Sequence, residues 1–189
     1  MLSNKLGHFF DKPLTPVVKF LNLSPNFYTI TGLILNLISA YVVINDFFMG
    51  GVFLGIASFF DMLDGISARV NAGSTRFGAF LDSFIDRVAE GVFFLCIGIN
   101  FIINIEFSGA FLAIVALILS YLISYIRARA EGLGIECKVG LIERPERIIL
   151  LLIGLLFDIL ELLLFILCFL SFITVIQRFL WVYKSLKTK

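Results

Sequence analysis

From Ile148 to Trp181 the sequence is apolar apart from Asp158, Glu161, Arg178 and a few small or uncharged polar residues. As one helix this run would be about 50 Å long, against a bilayer core of about 30 Å. The chain must therefore break inside it, and Asp158 and Glu161 mark the place, giving spans over 146–158 and 162–183. Four more apolar stretches precede it: about Tyr28 to Asn45, Gly51 to Val70, Arg76 to Ile103 and Ala110 to Tyr125. A mean hydropathy of +1.03 over 189 residues is more than a soluble domain needs. The expectation is an all-α integral membrane protein with six transmembrane helices, a single domain over 1–189 whose bundle covers 27–183.

Residues 5–23 read differently. Leu6, Phe9, Phe10, Leu14, Val17, Val18 and Leu21 recur at helical spacing, with Lys5, Asp11, Lys12, Thr15 and Lys19 between them. This stripe is too polar to cross a membrane and predicts an interfacial amphipathic helix, kinked near Pro13 and Pro16. Charges throughout residues 1–26 leave no cleavable signal pattern. The connections near 46–50, 104–109 and 158–161 contain no Lys or Arg, whereas the opposite loops and both ends are basic. By the positive-inside rule both termini are cytoplasmic. Cys96, Cys137 and Cys168 fit no metal-ligand spacing and no disulfide framework. Nothing points to a nucleic-acid partner.

Against this apolar background the stretch from Asp61 to Asp86 holds four carboxylates. Asp61, Asp64, Gly65, Ala68 and Arg69 share one helix face, and Gly78, Asp82 and Asp86 step by four along a second. Asn71 to Thr75 reads as a turn between the two helices. Two antiparallel helices would aim two carboxylates each at a shared space, about 13 Å from the cytoplasmic helix ends. Oxygen ligands in that number suit Mg²⁺ or Mn²⁺. Gly65, Ala68 and Gly78 leave room for something to lie against the helix backbones. Four membrane carboxylates also fit an ion path, so a cation transporter is the rival reading; conduction gives the glycines and Arg69 no role. Glu90, one turn beyond Asp86, supports the site or pairs with an arginine.

The pattern D-x2-D-G-x2-A-R-x8-G-x3-D-x3-D is matched at every fixed position and resembles the CDP-alcohol phosphotransferases, membrane enzymes of phospholipid synthesis. The resemblance implies a site for two Mg²⁺ or Mn²⁺ ions, a CDP-linked lipid donor, an alcohol acceptor and a homodimer. Asp61, Asp64 and Asp82 would be metal ligands. Asp86 would touch a metal and act as general base on the acceptor hydroxyl. Gly65, Ala68, Arg69, Gly78 and Asp64 would bind the CDP-lipid, with Pro25 and Asn26 near its nucleotide end.

The acceptor is read from arginines. Arg127, Arg129, Arg144 and Arg147 surround the loop after the fourth span, and Arg178 is a charge inside the sixth. Such a charge costs a few kcal/mol unless it faces a wet cavity. Arginine forks suit phosphate, so Arg127, Arg144, Arg147 and Arg178 predict a second anion site and a phosphorylated acceptor. The strings Tyr125 to Gly132, Glu143 to Arg147 and Gln177-Arg178 resemble the inositol-phosphate branch of the family. That implies inositol 1-phosphate as acceptor and CDP-diacylglycerol or CDP-archaeol as donor; glycerol 3-phosphate is the alternative acceptor.

Overall fold

The computed structural model describes residues 15–16, 25–70 and 76–187, without the side chains of 25–26 and 68–70. The expected interfacial helix, except Thr15 and Pro16, and the turn over 71–75 therefore lie outside the described residues. So do the side chains of Pro25, Asn26, Ala68 and Arg69. The described chain is all helix and loop: α1 Pro25–Val43, α2 Phe47–Val70, α3 Arg76–Ile103, α4 Phe107–Gly132, α5 Arg144–Leu156 and α6 Leu160–Lys187.

The breaks have local causes. Asp46 accepts a hydrogen bond from the Met49 amide at 2.9 Å, which starts α2 four residues before the expected Gly51. Ile105 and Asp158 adopt left-handed φ of 62° and 56°. There the Glu106 and Ile159 amides reach back to Phe101 and Gly154 oxygens at 2.8 and 3.0 Å, closing α3 and α5. The turn at Asp158 is the break expected in the long apolar run. At the start of α5 the Glu146 carboxylate accepts from the Glu143 amide at 3.0 Å, with Pro145 in the first turn. Helix α4 runs two turns past Tyr125, the expected end of its span. Its polar last turns are held by Arg127 and Glu131, paired at 3.0 Å one turn apart.

Each helix packs on two others, and the pairs close a ring: α1–α2, α2–α5, α5–α6, α6–α4, α4–α3 and α3–α1. Among the described residues α2 and α3 do not pack on each other; α1 lies against both. The end of the bundle away from the aspartates is filled. Phe93, Phe94 and Ile97 of α3 meet Ala113 and Ala116 of α4, Leu151 and Leu155 of α5, and Leu164 and Leu167 of α6, all buried. The alanines let the larger side chains interdigitate without a void. Nearer the aspartates the buried apolar cluster is smaller, Tyr28 of α1 with Leu63 and Ile66 of α2.

Phe77, Phe111, Phe165, Phe169 and Phe172 are each more than half exposed on the outer surface. Apolar surface of that extent belongs in lipid, and the protein is an integral membrane protein. By length and composition Phe47–Ser67, Phe107–Gly132 and Leu160–Lys187 are long and apolar enough to cross a membrane. The apolar part of α1, Phe27–Val43, is shorter, α5 has 13 residues, and α3 carries its charges between Arg76 and Glu90.

Candidate active site

The carboxylates lie toward the opposite end of the bundle from the main apolar core. Asp61 and Asp64 come from α2, Asp82 and Asp86 from α3. One guanidinium nitrogen, Nη2 of Arg144, lies 3.1 Å from Asp61 Oδ2 and 2.8 Å from Asp86 Oδ1. It bridges α2 and α3, whose backbones do not approach each other closely among the described residues. Asp82, more exposed, is within electrostatic reach of Asp61, Asp64 and Asp86. Thr29 of α1 donates to Asp64 Oδ2 at 2.7 Å. A Cβ on Gly32 would sit 2.7 Å from Asp61 Oδ1, so a bare backbone lets that carboxylate lie against α1. Asp61 and Asp86 thus share one guanidinium, with Asp64 and Asp82 within electrostatic reach.

Among the described residues no three His, Cys, Asp or Glu side chains converge tightly enough to hold a metal ion. The Arg144 guanidinium stands between Asp61 and Asp86. The donor set nevertheless fits a hard divalent cation, since it is all carboxylate oxygen and has drawn a cation between two of its members. Gly65 and Gly78 are half-buried on the same two helices.

Next to the carboxylates opens a cleft of about 660 Å³ lined by Ser83, Asp86, Arg87, Ser124, Arg127, Arg144, Arg147 and Arg178. That volume is ordinary for a small-molecule site. All four arginines expected at an anion site meet here, but their guanidinium groups are not equally available. Arg147 is 1% exposed, and its Nε and Nη2 donate to Glu90 Oε1 at 2.9 and 2.7 Å. Glu90 is therefore an arginine partner, one of the two roles its position allowed. Arg178 is buried and donates to Val139 and Ile123 backbone oxygens at 2.9 and 2.7 Å, with Glu143 at 3.5 Å. Its charge inside α6 is matched mainly by a loop carbonyl and a carbonyl within α4. Arg127 pairs with Glu131 at the exposed rim.

Composition and motif missed several neighbours. Arg87 donates to Ser124 Oγ and lies 3.4 Å from Glu90 Oε2 and 3.8 Å from Asp86. Its signal was its place, a charge directly after Asp86 in a helix expected to span. Thr29 and Gly32 are one turn apart on α1, and only the fold shows what they meet.

The loop between α4 and α5 is held by α6. The Ile142 amide donates to Thr174 Oγ1 at 3.2 Å, and Trp181 Nε1 to the Glu136 oxygen at 3.0 Å. Gly140 has a φ of +141°, and a Cβ there would meet Thr174 Cγ2 at 2.7 Å. Gly140→Ala is therefore expected to cost about 1–3 kcal/mol through a backbone conformation that alanine rarely adopts. The check is a fall in the thermal midpoint in detergent, with Gly132→Ala, which meets nothing within 4 Å, as the near-silent control.

The chain is similar to known proteins over nearly its whole length. The CDP-alcohol phosphatidyltransferase family profile matches residues 22–183. The archaetidylinositol phosphate synthase of Methanothermobacter thermautotrophicus is 36% identical over 193 residues, covering 98% of this chain and 96% of that protein. The crystal structure of Mycobacterium tuberculosis phosphatidylinositol phosphate synthase with CDP-DAG bound superposes with a TM-score of 0.81 at 31% identity. It covers 92% of this chain and 93% of that one. The same enzyme in complex with manganese and citrate gives a TM-score of 0.81, at 31% identity and over 92% and 88% of the two chains. The chain belongs to the CDP-alcohol phosphatidyltransferase family, and is a membrane enzyme of phospholipid synthesis. The resemblance carried by the eight spaced residues is borne out, and the transporter reading falls.

Proposed function

We propose that the enzyme transfers the phosphatidyl or archaetidyl group of a CDP-lipid to a hydroxyl of inositol 1-phosphate, releasing CMP. The observation that carries this is the arginine-lined cleft opening directly onto Asp86. A phosphorylated acceptor held there by Arg127 and Arg144, against walls built by Arg147 and Arg178, would present its hydroxyl to that carboxylate. The names of the M. thermautotrophicus and M. tuberculosis enzymes support inositol phosphate chemistry.

In this reading Asp86 accepts the proton of the acceptor hydroxyl. The oxygen attacks the lipid-side phosphorus of the diphosphate, and the bond to the CMP oxygen breaks. Asp61, Asp64, Asp82 and Asp86 would hold two Mg²⁺ or Mn²⁺ ions; when bound, these neutralise the diphosphate and the charge on the departing CMP. Gly65, Ala68, Arg69, Gly78 and Asp64 would receive the CDP-lipid. Thr29 orients Asp64, and Gly32 leaves Asp61 room. We place all six helices across the membrane as one domain, with the interfacial segment 5–23, both termini and the cleft on the cytoplasmic side, in a homodimer.

The test is CMP release by the purified enzyme, supplied with CDP-diacylglycerol or CDP-archaeol, Mg²⁺ and each candidate acceptor. Inositol 1-phosphate is expected to support turnover, and unphosphorylated inositol to be poor because it leaves the arginine cleft without its anion. Turnover with glycerol 3-phosphate but not with inositol 1-phosphate would reassign the acceptor. Full turnover in excess chelator would sink the metal assignment.

A further inference from the structure

Arg144 stands between two subsites. Its Nη2 touches Asp61 and Asp86 at 3.1 and 2.8 Å, and its side chain also lines the acceptor cleft with Arg127, Arg147 and Arg178. The other cleft arginines are held mainly elsewhere. Arg147 is committed to Glu90, Arg178 to backbone oxygens and Glu143, and Arg87 to Ser124 and Glu90, with Asp86 farther off at 3.8 Å. Arg127 has the exposed Glu131. Among the described cleft arginines, Arg144 alone lies within hydrogen-bond distance of two carboxylates that the proposed function assigns to a divalent cation; Arg87 reaches one of them, Asp86, at 3.8 Å.

We infer that Arg144 is the resident counter-cation of the carboxylate cleft, which a divalent cation displaces toward the acceptor phosphate, so that metal and acceptor bind with positive coupling. This rests on the metal and acceptor roles proposed above. A cation at Asp61 and Asp86 takes over the negative charge that draws the guanidinium between them and repels that guanidinium. The side chain springs from the first residue of α5, whose backbone is fixed by Glu143 and Glu146, and the adjoining cleft is where its freed charge can meet a phosphate. Coupling is reciprocal: if metal frees the arginine for phosphate, phosphate must favour metal by the same factor.

The prediction has an unusual sign. Arg144→Gln removes a competitor of the metal and a grip on the acceptor. Mn²⁺ should bind this variant about tenfold more tightly than the parent, while inositol 1-phosphate binds about tenfold more weakly, within the usual range of site-to-site coupling. A residue that only supported the fold would weaken both. The measurement is titration of the full chain in detergent, following free Mn²⁺ by electron paramagnetic resonance, with and without saturating inositol 1-phosphate. In the parent the acceptor should tighten Mn²⁺ about tenfold, and in the variant this gain should vanish. The parent measurement needs no variant to fold, and Arg144→Lys, which keeps charge without the planar fork, should show a reduced gain.

Asp82→Asn separates the two levels of the argument. If it leaves Mn²⁺ binding unchanged, the carboxylates are not the metal site, and both readings fall. If it weakens Mn²⁺ while Arg144→Gln binds Mn²⁺ no better than the parent, the metal site stands and the counter-cation role is overturned. Absence of any acceptor effect on Mn²⁺ in the parent overturns it as well.

Discussion

Asp86→Asn is expected to lower kcat by about 10²- to 10⁴-fold, the usual contribution of a positioned general base. Asparagine keeps the shape of the side chain and its reach into the arginine cleft, but it cannot accept the acceptor's proton. CDP-lipid affinity should change little. The contrast is Asp82→Asn, which should mainly weaken the metal, because Asp82 is exposed and does not line the arginine cleft. The measurements are CMP release under saturating metal and acceptor, and CDP-lipid binding by the same two variants. Equal loss of donor binding in both would remove the special role of Asp86.

Arg147→Ala should produce the largest loss of stability, about 3–5 kcal/mol, as expected when one partner of a buried ion pair is removed. Arg147 is 1% exposed and makes both contacts to a single oxygen of Glu90. Truncation leaves that carboxylate buried, with Arg87 at 3.4 Å as its remaining counter-charge. The thermal midpoint in detergent should fall steeply. Pairing Arg147→Met with Glu90→Gln should restore much of it, since neither variant side chain then carries an uncompensated charge. If Arg147→Ala unfolds at the parent's midpoint, the pair does not stabilise the fold. Loss of acceptor affinity in the double variant, with the midpoint regained, would assign the arginine a direct part in binding.

The helices were legible where the apolar period was long and the breakers were local. The turn at Asp158 could be placed because a run from Ile148 to Trp181 exceeds one crossing. The end of α4 could not, because Arg127, Arg129 and Glu131 read as a loop after an apolar span, whereas in the structure they extend the helix beyond it. The four aspartates were visible as a spaced motif, since charge in apolar helices stands out. Their partners were not. Arg144 is more than eighty residues from Asp61 along the chain, and no periodicity links them. The arginines were visible as a group, yet sequence gave them one role, phosphate binding. The fold divides them: Arg147 and Arg178 are tied to internal groups, and Arg144 is shared between two clefts. Gly32 carried no signal of its own, because what it accommodates belongs to another helix.

The attachments of α6 bear on how the site comes into being as the chain is made. All four aspartates are synthesised by residue 86, and Arg144 follows on α5. The loop leading to Arg144 is secured by Thr174, Arg178 and Trp181, which come later still. A nascent chain therefore carries its acidic residues through insertion before the helix that fixes their arginine neighbour has emerged from the ribosome. Assembly of the working cleft waits on the last described helix, so premature termination within α6 would leave every aspartate in place and the site unbuilt.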